Sequence, residues 1–198
     1  MNTPTHMLIA ASLFAKPQKP AITWVAVAGG LLPDLSLYLL VFNSLVLRGD
    51  TPDQVFGEFY FSDEWQRIFS IDNSFFVWAL VIAIGFYWKR EWVWVLGVAC
   101  VVHLLGDFPL HHDDGRAHFW PFSDWIFQSP LSYWDVNHHA RIVAPLEGLL
   151  CVVLYLFLFR KFKSRRARLV LGACLIGPLL IAAVVFGMFR TGLFSFAA

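Results

Sequence analysis

The chain has 198 residues, of which 58% are hydrophobic and only 15% are charged, and its formal net charge is +1. A soluble domain typically carries about a quarter charged residues, so the composition excludes an ordinary soluble enzyme. The near-zero net charge gives no indication of a nucleic-acid partner, and we expect none. We expect the protein to be embedded in a lipid bilayer.

Apolar runs approaching the roughly 20 residues that cross a bilayer follow one another along the chain. We predict an all-α, polytopic transmembrane helical bundle with about five or six membrane helices, forming one integral-membrane domain over residues 1–198. Two polar segments, 48–73 and 111–141, are expected on the outer face. The predicted helices are a short one at about 4–15, followed by 21–47, 74–88, 91–110, 142–159 and 169–189.

Lys and Arg residues cluster between these runs and predict the orientation of the bundle. Because positive residues in short loops are held on the cytoplasmic side, we predict that loop 160–168 is cytoplasmic and segment 111–141 extracytoplasmic. A bacterial-type inner (plasma) membrane is the expected location. The clusters are Lys16 with Lys19, Lys89 with Arg90, and RKFKSRRAR at 160–168.

The outer segment 48–73 contains a helix-start signal. Thr51, Pro52 and Gln54 give a capping box with proline at the first helical position, which predicts a short helix over about 52–61. Aromatic residues such as Tyr60 suit a membrane interface. We therefore predict an interfacial helix, with a substrate lid as the alternative.

Four ionisable residues from four predicted helices share one depth in the membrane. At 1.5 Å per helical residue, His6, Asp34, His103 and Glu147 lie about 15–22 Å from the nearest basic cluster. Asp107 is one turn above His103 on the same helix face. Ionisable side chains inside a membrane face the bundle interior, a partner or a water-filled cavity, so we expect these residues to converge.

Imidazole and carboxylate without thiolate form an N/O ligand set that suits a divalent metal ion, with zinc the first expectation and manganese or iron as alternatives. Other interpretations remain open for each residue alone. His103 and Asp107 can form a buried hydrogen-bonded pair or a proton relay. Asp34 can be a helix N-cap, and His6 a solvated terminal residue.

Four short elements carry a resemblance to a known family. The sequence resembles the YdjM-type, LexA-regulated membrane-bound metal-dependent hydrolases, which are distantly similar to zinc-dependent phospholipase C. The resemblance covers about residues 3–125 and implies metal binding by His6, Asp34, His103 and Asp107. The family's further Asp-His pair and its Thr-His-Ser block are replaced here by PDLSLY and IDNSFF, with Asn73 in the second. The matching elements are Thr5–His6, Leu32–Pro33–Asp34, His103-x-x-x-Asp107 and Trp120–Pro121–Phe122–Ser123.

The family's Asp-His pair and Thr-His-Ser block each contain a histidine that this sequence lacks. Histidines of the outer segment can compensate for these two, and a solvated loop position is the alternative for each. We predict His111 and His112 as further metal ligands, because only a few residues separate them from Asp107. His118 and His139 are predicted to bind substrate. The predicted catalytic residues are Asp107 and Glu147.

Three functions fit these features. The first is a metal-dependent hydrolase that acts on a phosphoester or ester, including a lipid-like substrate, at the outer face of the membrane. The second is a transporter or handling protein for metal ions or small solutes. The third is a structural membrane protein whose polar cluster specifies helix packing. The sequence gives no prediction of oligomeric state.

Overall fold

The computed structural model describes residues 1–191, with side chains described through residue 180 and at residue 183. Within this part the chain is all-α, as predicted. A π-helical turn, Asn43–Arg48, follows α3, and short 3-10 turns cover Phe59–Phe61 and Val136–His138. The helices are α1 Thr3–Phe14, α2 Pro20–Gly29, α3 Leu32–Phe42, α4 Pro52–Gly57, α5 Asp63–Asp72, α6 Phe75–Tyr87, α7 Glu91–Asp107, α8 Ala140–Lys161 and α9 Arg165–Thr191.

Two helical stretches of the described residues are long and apolar enough to cross a membrane, Asp63–Tyr87 and Ala140–Lys161. A third is added if Pro20–Gly29 and Leu32–Arg48, which are bent by 63°, count as one span. This is compatible with an integral membrane protein, but it is fewer than the five or six membrane helices expected. Several predicted runs are short helices in the structure; α1 has 12 residues, which at 1.5 Å each is about 18 Å. The last predicted run, 169–189, extends beyond the described side chains.

Helix α1 is packed on two sides by other helices. Leu8 and Ala11 of α1, with Ala15 just after the helix, form one buried cluster with residues of α8 and α9. On another side α1 contacts α2 and α7, and α2 packs on α7 through Ile22, Ala26 and Val95. His6, in the first turn of α1, is therefore held inside the bundle.

The predicted capping box is present at the start of α4. Thr51 accepts a hydrogen bond from the backbone N–H of Gln54, and the Gln54 side chain accepts one from the Thr51 backbone. The helix ends at Gly57 and the 3-10 turn follows, so the predicted helix over 52–61 is two short elements. This segment packs against α3 and α5 through a buried cluster formed by Val55 of α4 with Trp65 and Phe69 of α5.

Two of the basic clusters meet at one end of the bundle. Lys16 and Lys19, in the α1–α2 loop, each lie 2.6 Å from a carboxylate oxygen of Glu91 at the start of α7. Lys89 and Arg90 immediately precede Glu91. Asp107, at the other end of α7, is separated from this charged end by the length of the helix, about 25 Å.

Candidate metal centre

Three buried side chains from α1 and α7 form the centre of the site. Nε2 of His6 lies 2.8 Å from Oδ1 of Asp107, and Nε2 of His103 lies 3.0 Å from Oδ2 of the same carboxylate. The exposed fraction of each residue is 6% or less. One ligand atom from each residue lies within 4.8 Å of the other two, so the group can hold a metal ion.

The two imidazoles stack because α1 closely approaches the neighbouring helices. The rings of His6 and His103 have centroids 3.7 Å apart and an interplanar angle of 16°. A Cβ at Gly30 would lie 2.7 Å from the carbonyl oxygen of His6 and from Cα of Met7. Glycine at this position therefore permits the approach that brings His6 to His103.

Hydrogen bonding fixes the tautomer of His103. Its Nδ1–H donates to the carbonyl oxygen of Gly30 at 2.9 Å, which leaves Nε2 unprotonated in the neutral ring and available as a ligand. Nε2 is fully buried and makes no hydrogen bond of acceptable geometry. It faces Asp107 and, at 3.6 Å, Oδ1 of Asp34.

Asp34 belongs to the same cluster and is more accessible than Asp107. The hydroxyl of Thr3 donates to its Oδ2, and Tyr38 contacts that hydroxyl at 2.7 Å. The side chain of Asp34 is 20% exposed, compared with 8% for Asp107. Oδ1 of Asp34 thus faces the imidazole of His103 at 3.6 Å.

His111, in the loop between α7 and α8, extends the cluster. Its Nε2 lies 3.2 Å from Oδ1 of Asp107, and its Nδ1 lies 2.8 Å from Oδ2 of Asp114. The indole N–H of Trp134 also donates to Asp114. Burial favours the neutral acid, but the His111 imidazole and the Trp134 donor hold the pKa of Asp114 below its ordinary value. A carboxylate on the far nitrogen of a histidine is typical of metal sites.

The geometry fits a divalent ion with nitrogen and oxygen ligands. Ligands at 2.0–2.2 Å from one ion in tetrahedral or octahedral geometry are about 3.0–3.4 Å apart, close to the 3.0 Å between His103 and Asp107. The described residues bring no cysteine into the group. The amino group of Met1 also contacts the carboxylate of Asp107. It lies 2.5 Å from Oδ1 of Asp107 and 3.5 Å from Nε2 of His111.

Glu147 lies beside the start of α1. Its Oε1 accepts hydrogen bonds from the backbone N–H and the side-chain amide of Asn2, at 2.8 and 3.0 Å, and from the hydroxyl of Thr5 at 2.5 Å. Its Oε2 is buried without a hydrogen-bond partner. These contacts anchor α1 to α8 and do not include His6, His103 or Asp107.

The other histidines predicted from sequence occupy different positions. His112 donates to the carbonyl oxygen of Ser129 and stacks on His138, with ring centroids 3.5 Å apart. His139 is exposed at the start of α8 with φ of 68°. His118 is buried, and its Nδ1–H donates to the carbonyl oxygen of Asn73; burial lowers the pKa of His118. The structure therefore brings His111 to Asp107, but not His112.

A cavity of about 120 Å³ opens beside the cluster. Its wall includes Asp34, Asp107 and His118 together with three residues that sequence reasoning missed, Tyr60, Asp114 and Arg116. The spacing of His111 and Asp114 was a usable signal, because a three-residue separation in a turn allows a side-chain pair. The sequence offers no comparable signal for Arg116, whose partners belong to distant segments.

A larger cavity, about 790 Å³, adjoins the first and shares Tyr60 and Asp114 with it. Its wall also includes Arg67, Asp113 and Asp124. The cluster thus lies next to a space of the size of a small substrate.

Comparisons with protein-family models, with curated proteins and with solved structures find no significant match for this chain.

Proposed function

We propose that this chain is a membrane-bound, metal-dependent hydrolase of the YdjM type that cleaves a phosphoester or ester at the outer face of the membrane. The observation that carries the proposal is the buried group of His6, His103 and Asp107, whose ligand atoms lie within 4.8 Å of one another. Buried histidines and carboxylates inside an apolar bundle mark functional sites. The resemblance of the short motifs adds hydrolysis as the expected chemistry.

The proposed ion is zinc, since the donors are imidazole nitrogens and carboxylate oxygens. His6, His103 and Asp107 would hold it, and His111 is close enough to add a fourth ligand, while Asp34 lies beside the group. A divalent ion in such a site supplies water of lowered pKa and polarises a phosphoryl or acyl oxygen. Gly30 fixes the orientation of His103, and Asp114 fixes that of His111.

We assign proton acceptance to Asp34. Asp107 contacts three imidazoles and is committed to the ligand set. Oε1 of Glu147 accepts from Asn2 and Thr5, and Glu147 is not part of the cavity wall. Asp34 borders the cavity, and its carboxylate can take a proton from the attacking water.

The proposed orientation puts the cavity on the extracytoplasmic side of a bacterial-type inner membrane, with loop 160–168 in the cytoplasm. The basic residues Lys16 and Lys19 lie at Glu91, the end of α7 opposite to Asp107. Because basic residues are held on the cytoplasmic side, this supports the proposed orientation. The cavity then faces the headgroup region, where a lipid-like ester would be presented.

Hydrolysis of ester classes by the purified protein tests the proposal. Phosphomonoesters, phosphodiesters and carboxylic esters would be assayed in detergent with Zn²⁺ or Mn²⁺. We expect Asp107→Asn to lose both metal and turnover, and Asp34→Asn to retain metal but lose about 10²- to 10⁴-fold in turnover, the usual contribution of a general base. If metal binds tightly and no ester is cleaved above the Asp107→Asn background, the transporter or structural alternative is favoured.

A further inference from the structure

Arg116 is held in the wall of the small cavity by contacts that leave part of its guanidinium group free. Its Cζ lies 4.7 Å from the centroid of the Tyr60 ring and 4.2 Å from that of Phe69. Nη2 donates to the Tyr60 hydroxyl at 2.7 Å. Nη1 is buried and has no hydrogen-bond partner. A buried guanidinium nitrogen without a partner is costly, so this geometry indicates a ligand.

The charges around the cavity limit what this ligand can be. Asp34, Asp107 and Asp114 border the same space as Arg116. The amino group of Met1 also lines this cavity, so three carboxylates face two cationic groups, and the remaining negative charge would repel an anion in the absence of a metal ion. A divalent ion held by Asp107 and the histidines would offset this charge, and an oxyanion could then contact the ion and Arg116 together.

We infer that Arg116 binds a phosphoryl oxygen of the substrate, and that the substrate class is a phosphoester. The inference rests on the proposed function and narrows it. Guanidinium forms charge-assisted, often bidentate hydrogen bonds with phosphate oxygens. A neutral carboxylic ester has no negative charge in its ground state for Arg116 to pair with.

The role of Arg116 can be tested by calorimetry, which measures the binding of inorganic phosphate to zinc-loaded, desalted protein. We expect phosphate to bind to the zinc-loaded protein and to bind much more weakly to the metal-free protein. Arg116→Gln should weaken phosphate binding at least about tenfold, the usual loss for a charge-assisted hydrogen bond, while leaving zinc content unchanged. Arg116→Lys should restore part of the affinity, because lysine binds phosphate as a point charge.

Arg48→Gln is the matched control. Arg48 also lies over an aromatic ring, 5.3 Å from the centroid of Phe59, and pairs with Asp50, but it is not part of the cavity wall. Its substitution should leave phosphate binding unchanged. Tyr60→Phe, which removes the acceptor of Nη2, gives a second variant in which phosphate affinity should fall without loss of the arginine.

The source of the phosphoryl group can be identified by comparing the affinity of the protein for short-chain phosphatidic acid in detergent micelles with its affinity for inorganic phosphate. Tighter binding of the lipid indicates a headgroup, and equal binding indicates a soluble phosphoester; Arg116→Gln should weaken both. If zinc binds but phosphate does not, or if Arg116→Gln binds phosphate as well as the parent, the inference is wrong while metal-dependent ester hydrolysis stands. If no zinc binds, the inference and the proposed function both fail.

Discussion

Three imidazoles surround one carboxylate at Asp107. Oδ1 lies 2.8 Å from His6 and 3.2 Å from His111, and Oδ2 lies 3.0 Å from His103. A buried carboxylate is costly unless it is paired, and a membrane bundle increases that cost. The partners of Asp107 come from α1, α7 and the α7–α8 loop, so the carboxylate joins three parts of the chain.

Glu147 has a different environment, which leads to a prediction about stability. Glu147→Ala removes the acceptor for Asn2 and Thr5 and should lower the free energy of unfolding by about 1–3 kcal/mol. Glu147→Gln keeps an acceptor oxygen and should lose less. Thermal unfolding in detergent measures both changes.

Turnover separates this anchoring role from the catalytic role predicted for Glu147 from sequence. We expect Glu147→Gln to keep most of its activity and its full metal content. A variant that unfolds at the parent temperature but loses turnover by orders of magnitude would instead identify Glu147 as the general base.

The residues of the centre were partly predictable because helical periodicity and depth are local properties. His103 and Asp107 share a helix face by their i, i+4 spacing, and distance along the chain placed His6 and Asp34 at a matching depth. Arg116 was not predictable, because its place depends on the rings of Tyr60 and Phe69. The Gly30 carbonyl that orients His103 was equally hidden, since side-chain patterns do not report backbone acceptors.

At the scale of elements, the approach of α1 to the bend between α2 and α3 positions His6. Gly30→Ala would place a methyl group 2.7 Å from the backbone of His6 and Met7. Backbone atoms cannot move aside cheaply, so we expect a loss of about 1–3 kcal/mol in stability and weaker metal binding. Thermal unfolding and metal titration measure these effects.

Gly57→Ala is the control for this substitution. A Cβ at Gly57 meets no other atom within 4 Å, and the residue ends the short helix α4. Its stability and metal affinity should match the parent. Equal behaviour of the two alanine variants would contradict the role assigned to the α1 contact.

Helix boundaries were predictable where capping residues are present, as at Thr51. The number of uninterrupted membrane spans was not predictable, because hydropathy does not show where an apolar run bends. The run predicted over 21–47 contains a break between α2 and α3 with a bend of 63°. That break presents the Gly30 carbonyl to His103, so the departure from a continuous span contributes directly to the site.

For the whole molecule, the orientation in the membrane can be tested by labelling single cysteines. Ser123 and Ser164 are both exposed, and each would be replaced by cysteine in a background without Cys100, Cys151 and Cys174. We expect an impermeant reagent to label position 123 in intact cells and position 164 only after permeabilisation. Labelling of position 164 alone in intact cells would reverse the orientation and put the cavity on the cytoplasmic side.

The metal content of the purified protein tests the central claim most directly. After exposure to zinc and desalting, we expect about one tightly held ion per chain in the parent protein. His103→Ala should lose it, because the buried Nε2 of His103 faces Asp107 and is one of the three ligand atoms of the group. His112→Ala should keep it, because His112 contacts Ser129 and His138 instead. A parent protein that holds no metal, or a folded His103→Ala variant that holds as much as the parent, would contradict a metal centre at His6, His103 and Asp107.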